Sequence, residues 1–315
     1  MRASTFAAAS LFACSSSAQV LQEPDDLPTS ASKVLLATQT SCNSTDINRR
    51  LVRRLNHLCT TQPSLRVVVN IYDQPHTATA EECLGGTLPS CTVRTSRVPG
   101  MKLEYWWSTL VPTLTSSFDF VWLVDNDMDV ARFDLDEALE TMRRGRIALA
   151  QPRVTADEAL ARQRRRGRGE AAGVRIQSGE DMPTLTANNE LEPPGCRAQK
   201  IVWMDTQTPL FTAEAWSLQH ERFLSRLNMT LVHDSDEAAM HVWCGLLERY
   251  MAEGRTGCSV LSTVLATDDV GDHHPLYGQV ERERAVIDAW LYAHEFGDFV
   301  TASQAPDKRG ECVAW

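Results

Sequence analysis

The chain has 315 residues, 41 acidic against 31 basic side chains for a formal charge of -10, and 43% hydrophobic residues including 8 tryptophans. That composition excludes a collagen-like or wholly disordered chain, and no run of about 18 apolar residues marks a membrane span. The acidic balance argues against a specific nucleic-acid binder, which needs basic side chains to neutralise phosphates, but it leaves room for a local anion site.

Residues 1–18 carry Arg2, an apolar stretch from Phe6 to Cys14, and the small residues Ser16 and Ala18 before Gln19. This reads as a secretory signal peptide, with a disordered or organellar leader as the alternative and a resemblance of Leu11-Phe12-Ala13-Cys14 to a lipoprotein cleavage box, followed by a polar lead over 19–32. Its removal takes Cys14 away and leaves cysteines at 42, 59, 83, 91, 196, 244, 258 and 312, an even set that can pair fully in an oxidising lumen. Their scattered spacing does not suit paired zinc knuckles. Asn43-Ser44-Thr45 and Asn228-Met229-Thr230 are acceptor triplets for N-glycosylation on the same route. Together these features predict a protein of the ER or Golgi lumen or the cell exterior.

Along the chain, Lys33–Thr38 reads as a buried strand, Asp46–Cys59 as a helix with Ile47, Leu51, Leu55 and Leu58 on one stripe, and Leu65–Tyr72 as a second strand. Thr92–Val98 is a third strand. A helix from Lys102 to about Thr115 is expected to be kinked or shortened by Pro112. Phe118–Val124 is nearly continuously apolar, as suits a strand covered on both faces, and it ends in Asp125-Asn126-Asp127-Met128-Asp129. A helix over 134–144 and a short strand over 147–151 follow, with Pro152 expected to end that strand. Residues 155–198, with Arg164-Arg165-Arg166-Gly167-Arg168 and Pro193-Pro194-Gly195, read as a long basic insertion. Beyond it come Ile201–Met204, Leu210-Phe211, a helix from Ala213 to Leu227 capped by Thr212, a helix from about Ser235 to Tyr250, a strand over 259–266, and a helix over 281–296. This order predicts a three-layer α/β domain over 33–300, its central sheet mixed and mostly parallel, with a tail at 301–315.

The chemistry centres on an acidic cluster where a buried strand opens to solvent. In open α/β sheets ligands gather beyond the carboxyl ends of the strands. Asp125 and Asp127, one residue apart, can converge on a hard divalent cation if the backbone turns there, and Mg or Mn bridges such carboxylates to phosphate oxygens. Asp129 could add a third oxygen or face water. After a late strand, His273 or His274 could complete the metal site, in competition with Asp268, Asp269 and Asp272. For a general base, Asp234, Asp236 and Glu237 lie just before a helix and Asp205 opens the other segment; Asp236 and Asp205 are the favoured candidates, with helix capping as the alternative for Asp234 or Asp236. Trp106, Trp107, Trp203, Trp216 and Trp243 could stack on sugar rings, although most tryptophans in such settings serve the core.

The block Met101–Glu104, Phe118–Val130, Phe133-Asp134 and Ala150-Gln151-Pro152, with a second block Val202–Trp216 and the run Trp243-Cys244-Gly245-Leu246, resembles the plant, algal and fungal family formerly described as lysine-ketoglutarate-reductase trans-splicing related. That family looks like the GT-A nucleotide-sugar glycosyltransferases. The resemblance spans roughly 100–275. It implies that Asp125, Asn126 and Asp127 hold a nucleotide-sugar diphosphate, that Asp125, Asp127 and His274 hold the metal, and that Val202–Trp216 lies on the acceptor side. The older family name suggests a reductase, but the chain has no nicotinamide-binding fingerprint.

The resulting expectation is a GT-A-like, metal-dependent glycosyltransferase, using Mn or alternatively Mg. It would move a sugar from a nucleotide-sugar donor to a hydroxyl on a glycan, protein or small molecule. Two alternatives stand beside it: a catalytically inactive nucleotide-sugar or glycan-binding protein of the same fold, and a metal-dependent nucleotide or phosphoester hydrolase.

Overall fold

In the apolar runs at 34–37, 67–69 and 120–124, successive residues point to opposite sheet faces, and both faces are buried. A computed structural model describes residues 32–100, 102–156, 194–227, 229, 237–267, 286–303 and 309–313 of the chain. Residues 1–18, expected to be a signal peptide, and the body of the expected basic insertion lie outside the described residues. Residues 31–315 form one compact unit.

The strands are β1 (Val34–Thr40), β2 (Leu65–Ile71), β3 (Thr92–Ser96), β4 (Phe120–Asp125), β5 (Ile147–Ala156), β6 (Ala198–Ile201), β7 (Leu210–Thr212), β8 (Thr256–Thr267) and β9 (Arg309–Cys312). The helices are α1 (Thr45–Thr61), α2 (Ala80–Leu84), α3 (Lys102–Thr109), α4 (Pro112–Thr115), α5 (Leu135–Arg144), α6 (Ala213–Arg222), α7 (Glu237–Tyr250) and α8 (Gly297–Ser303). Residues 286–293 are also helical.

The nine strands among the described residues join one sheet in the order β3-β2-β1-β4-β7-β5-β8-β6-β9. The parallel pairs are β1–β2, β1–β4, β2–β3 and β5–β8, while β7 runs against both β4 and β5, and β6 against β8 and β9. Among the described strands only β6 and β7 therefore run opposite to the rest, as expected for a mostly parallel mixed sheet. The chain moves outward from β1 to β2 and β3, then returns to lay β4 on the other side of β1. The crevice between the carboxyl ends of β1 and β4 is thus a topological switch point.

Two cores cover the two faces. Leu35, Ala37, Val68, Val121 and Leu123 pack with α3, α6 and α7 through Leu103, Trp106, Trp216 and Trp243. Val34, Leu36, Val67, Val69, Trp122 and Val124 pack with α1 and α5 through Leu51, Leu55, Leu139 and Met142. The period-2 strands and period-3.6 helices thus produce the three-layer architecture directly. On the second face, Asp134 caps α5 by accepting from the Glu137 N–H at 2.9 Å, and on the first, Thr212 caps α6 by accepting from Ala215 at 3.2 Å.

Two expectations change. Pro152 does not end β5; the strand continues to Ala156, and its register against β8 shifts between Pro152 and Arg153. Proline lacks the N–H a regular ladder needs, and a bulge accommodates that loss. At Pro112 the helix expected across 102–115 is shortened as one alternative had it, dividing into α3 and α4, with Pro112 in the first turn of α4, where no intrahelical donor is required. The expected tail supplies β9, an edge strand held to β6, so the sheet extends past residue 300.

The eight cysteines after residue 14 pair as Cys42–Cys83, Cys59–Cys91, Cys196–Cys312 and Cys244–Cys258. Such pairing fits an oxidising compartment. Among the described residues no helix is long and apolar enough to cross a membrane.

Candidate active site

At the end of β4, the Met128 N–H returns to the Asp125 carbonyl at 3.2 Å and closes a turn with Asp125 first and Asp127 third. The backbone turn that a shared cation would require is therefore present. Between the two carboxylates, Asn126 donates through Nδ2 to Thr40 Oγ1 at 2.9 Å, and Thr40 in turn donates to Asn48 Oδ1. That chain ties the acidic turn to the end of β1 across the switch point.

The three aspartates are not equivalent. Asp125 is paired with Lys102, whose Nζ lies 2.8 Å from Oδ1 and 3.0 Å from Oδ2. Asp129 is buried between two guanidiniums, with Arg54 Nε and Arg132 Nε each 3.3 Å from a carboxylate oxygen. Asp129 therefore does not face water: its charge is balanced by Arg54 from α1 and by Arg132 just after the turn.

On the other side of β4, the segment before β7 opens onto the same edge. The Asp125 N–H donates to the Gln207 carbonyl at 2.9 Å, and the Gln207 N–H donates to Asp205 Oδ1 at 3.2 Å. The Asp205 N–H donates to Oε1 of buried Gln151 on β5 at 3.1 Å. The antiparallel course of β7 brings its amino end beside the carboxyl ends of β4 and β5, and Asp205 arrives next to the acidic turn with it. Asp236, His273 and His274 lie outside the described residues, as do Asp234, Asp268, Asp269 and Asp272.

The residues that position Lys102 went unread in the sequence. Asn70, fully buried on β2, donates to the Val98 carbonyl at 2.8 Å and accepts from the Val98 N–H at 2.8 Å and Ser96 Oγ at 2.9 Å. Gln39 Nε2 donates to the Gly100 carbonyl at 3.1 Å, and Gly100 takes a φ of +87°, which favours glycine. Together they hold the segment leading into α3 against the ends of β1 and β2. A signal was available: Asn70 interrupts the apolar run Val67-Val68-Val69, and a polar side chain in such a run must find hydrogen bonds.

Of the tryptophans considered for stacking, Trp106, Trp203, Trp216 and Trp243 are buried, and Trp216 Nε1 donates to the Leu110 carbonyl at 2.7 Å. Trp107 is exposed. The first four therefore serve the core.

The donor chemistry at the turn suits a hard divalent cation, because Asp125 and Asp127 offer carboxylate oxygens only and Mg or Mn commonly takes one or two carboxylates plus phosphate oxygens. Among the described residues no group of three His, Cys, Asp or Glu side chains forms a complete metal cage. Phosphate oxygens, or residues outside the described ones, would have to complete the shell.

The family described as "Protein of unknown function (DUF707)" matches residues 89–229, which take in the acidic turn, Gln151 and Asp205. No curated protein matches the chain. Among solved structures it is similar to a mannosyltransferase from Pyrobaculum calidifontis in complex with GDP-Man and Mn2+, at 12% identity over 90% of this chain and 73% of that chain, with a TM-score of 0.45. It is also similar to glucosyl-3-phosphoglycerate synthase from Mycobacterium tuberculosis in complex with Mg2+ and uridine-diphosphate, at 13% identity over 88% and 81% of the two chains, with a TM-score of 0.42.

Proposed function

We propose that the chain is a GT-A-like, metal-dependent glycosyltransferase that moves a sugar from a nucleotide-sugar donor to a hydroxyl acceptor. The observation that carries this reading is the Asp125–Met128 turn at the β1/β4 switch point, with Asp205 delivered to the same edge by β7. Asp125 and Asp127 would hold Mn, or Mg in its place, and the bound cation would supply charge neutralisation to a leaving diphosphate. Asn126, fixed to Thr40, keeps the turn in register with the end of β1.

Asp205 is the candidate general base. In the transfer it takes the acceptor hydroxyl proton, the acceptor oxygen bonds to the anomeric carbon, and the bond from that carbon to the donor phosphate oxygen breaks, releasing the nucleoside diphosphate. Asp236 stands as the second candidate. The site's place in the secretory lumen or outside the cell is supported by the four disulfides.

One observation favours a second reading, a binding protein without turnover: Lys102 already satisfies Asp125 in the structure. Titration calorimetry with a panel of UDP- and GDP-sugars, with and without Mn2+, tests the site. Metal-dependent binding should weaken about ten-fold or more in D125A and D127A, equivalent to about 1.4 kcal/mol, and remain unchanged in E140Q on the exposed face of α5. Equal binding by all four proteins would reject the site. Metal-dependent binding with no acceptor-dependent nucleotide release would select the second reading, and release without any acceptor would select a hydrolase.

A further inference from the structure

Lys102 is placed with more care than a surface cation needs. It opens α3, whose Leu103, Tyr105 and Trp106 are buried in the core. The Tyr105 hydroxyl donates to the Val68 carbonyl at 3.2 Å, and burial pushes the phenol above its ordinary range. On the other side of Lys102, Gln39 and Asn70 fix the segment from Ser96 to Gly100. Gln39 is also the β1 residue in register with Asp125. The root of the lysine is therefore set from both directions, and its ammonium lies within hydrogen-bond distance of both Asp125 oxygens while its side chain is only 20% exposed.

A divalent cation cannot take Asp125 fully while this ammonium holds both oxygens, because the two cations would repel each other across a shared carboxylate. A lysine side chain has four rotatable carbons and three donors, so it can leave Asp125 without any backbone movement. Asp129 is already neutralised by Arg54 and Arg132, so the charge of Lys102 is directed at Asp125, the first carboxylate of the turn.

From this geometry we infer that Lys102 is an exchangeable counter-ion for the first aspartate of the turn: it yields Asp125 to the metal and transfers its ammonium to a phosphate oxygen of the donor. The inference rests on the functional reading above. Its consequence is cooperative loading. Metal alone must evict Lys102, whereas metal arriving with a diphosphate gives the evicted ammonium a new anionic partner.

The test uses the full chain and measures Mn2+ binding by electron paramagnetic resonance, first alone and then with UDP or GDP. K102M should bind Mn2+ alone at least about five-fold more tightly than the wild type, and should bind UDP or GDP about ten-fold more weakly at saturating Mn2+. K102R, which keeps the charge, should stay near the wild type in the first measurement, and K102Q serves if K102M fails to fold. D125N should abolish Mn2+ binding throughout. If K102M and K102Q bind Mn2+ alone no better than the wild type while D125N abolishes binding, the exchange is overturned and the metal site stands. If D125N binds as the wild type does, or no protein binds Mn2+ even with nucleotide, both fall.

Discussion

Arg54 reaches from α1 to Asp129 with its Nε 3.3 Å from the carboxylate, and both side chains are only 12% exposed. The same arginine directs an N–H toward the Met128 carbonyl at 3.4 Å. Helix α1 thereby fixes the Asp129 end of the acidic turn.

Replacing Asp129 should accordingly damage the fold before it damages the site. D129A leaves Arg54 in a half-closed environment without that carboxylate, and removing one partner of a poorly solvated pair is expected to cost roughly 1–3 kcal/mol. Urea unfolding should show a lowered midpoint, while Mn2+ binding per folded molecule at low temperature stays within about two-fold of the wild type. A fully stable D129A that had lost Mn2+ would place Asp129 among the ligands instead.

Asp205 should separate in the opposite way. Asparagine can still accept the Gln207 N–H bond, so D205N keeps the local turn but cannot take a proton. With a turnover assay in hand, kcat should fall by about 100-fold or more with donor affinity unchanged. Parallel losses in donor affinity and kcat would show Asp205 to be a donor-binding residue.

The disulfides should differ in weight. Cys196 and Cys312 are 116 residues apart and hold β9 to β6, whereas Cys244 and Cys258 are 14 apart. In the chain-entropy account the longer loop stabilises more, by about 4–5 kcal/mol against about 3 kcal/mol. The double alanine variant at 196 and 312 should therefore show the larger drop in thermal midpoint than the variant at 244 and 258. The reverse order would point to native-state packing as the main contribution.

The site was half legible. Asp125 and Asp127 could be read because a long apolar strand ending in carboxylates is a local pattern, and the strand does end at Asp125. Asp205 could be read only as a member of a resembling block. Its place beside Asp125 depends on β7 running antiparallel between β4 and β5. Lys102 was visible only as a helix start, since nothing local links a residue at 102 to one at 125. Gly245 is a packing case of the same kind. A Cβ there would come within 2.7 Å of Phe299 Cγ, a constraint imposed by α8 from more than fifty residues away.

What the chain determined by itself was the repertoire of elements. Apolar alternation and helical stripes act between neighbours in sequence, so they set the strands, the helices, the two buried faces and the acidic strand end. The tertiary structure decided which charges meet. It gave Asp129 to Arg54, Asp125 to Lys102, Asp205 to the same edge, and residues 309–312 to the sheet, because charge pairing and edge-strand pairing act through space and carry no period along the chain.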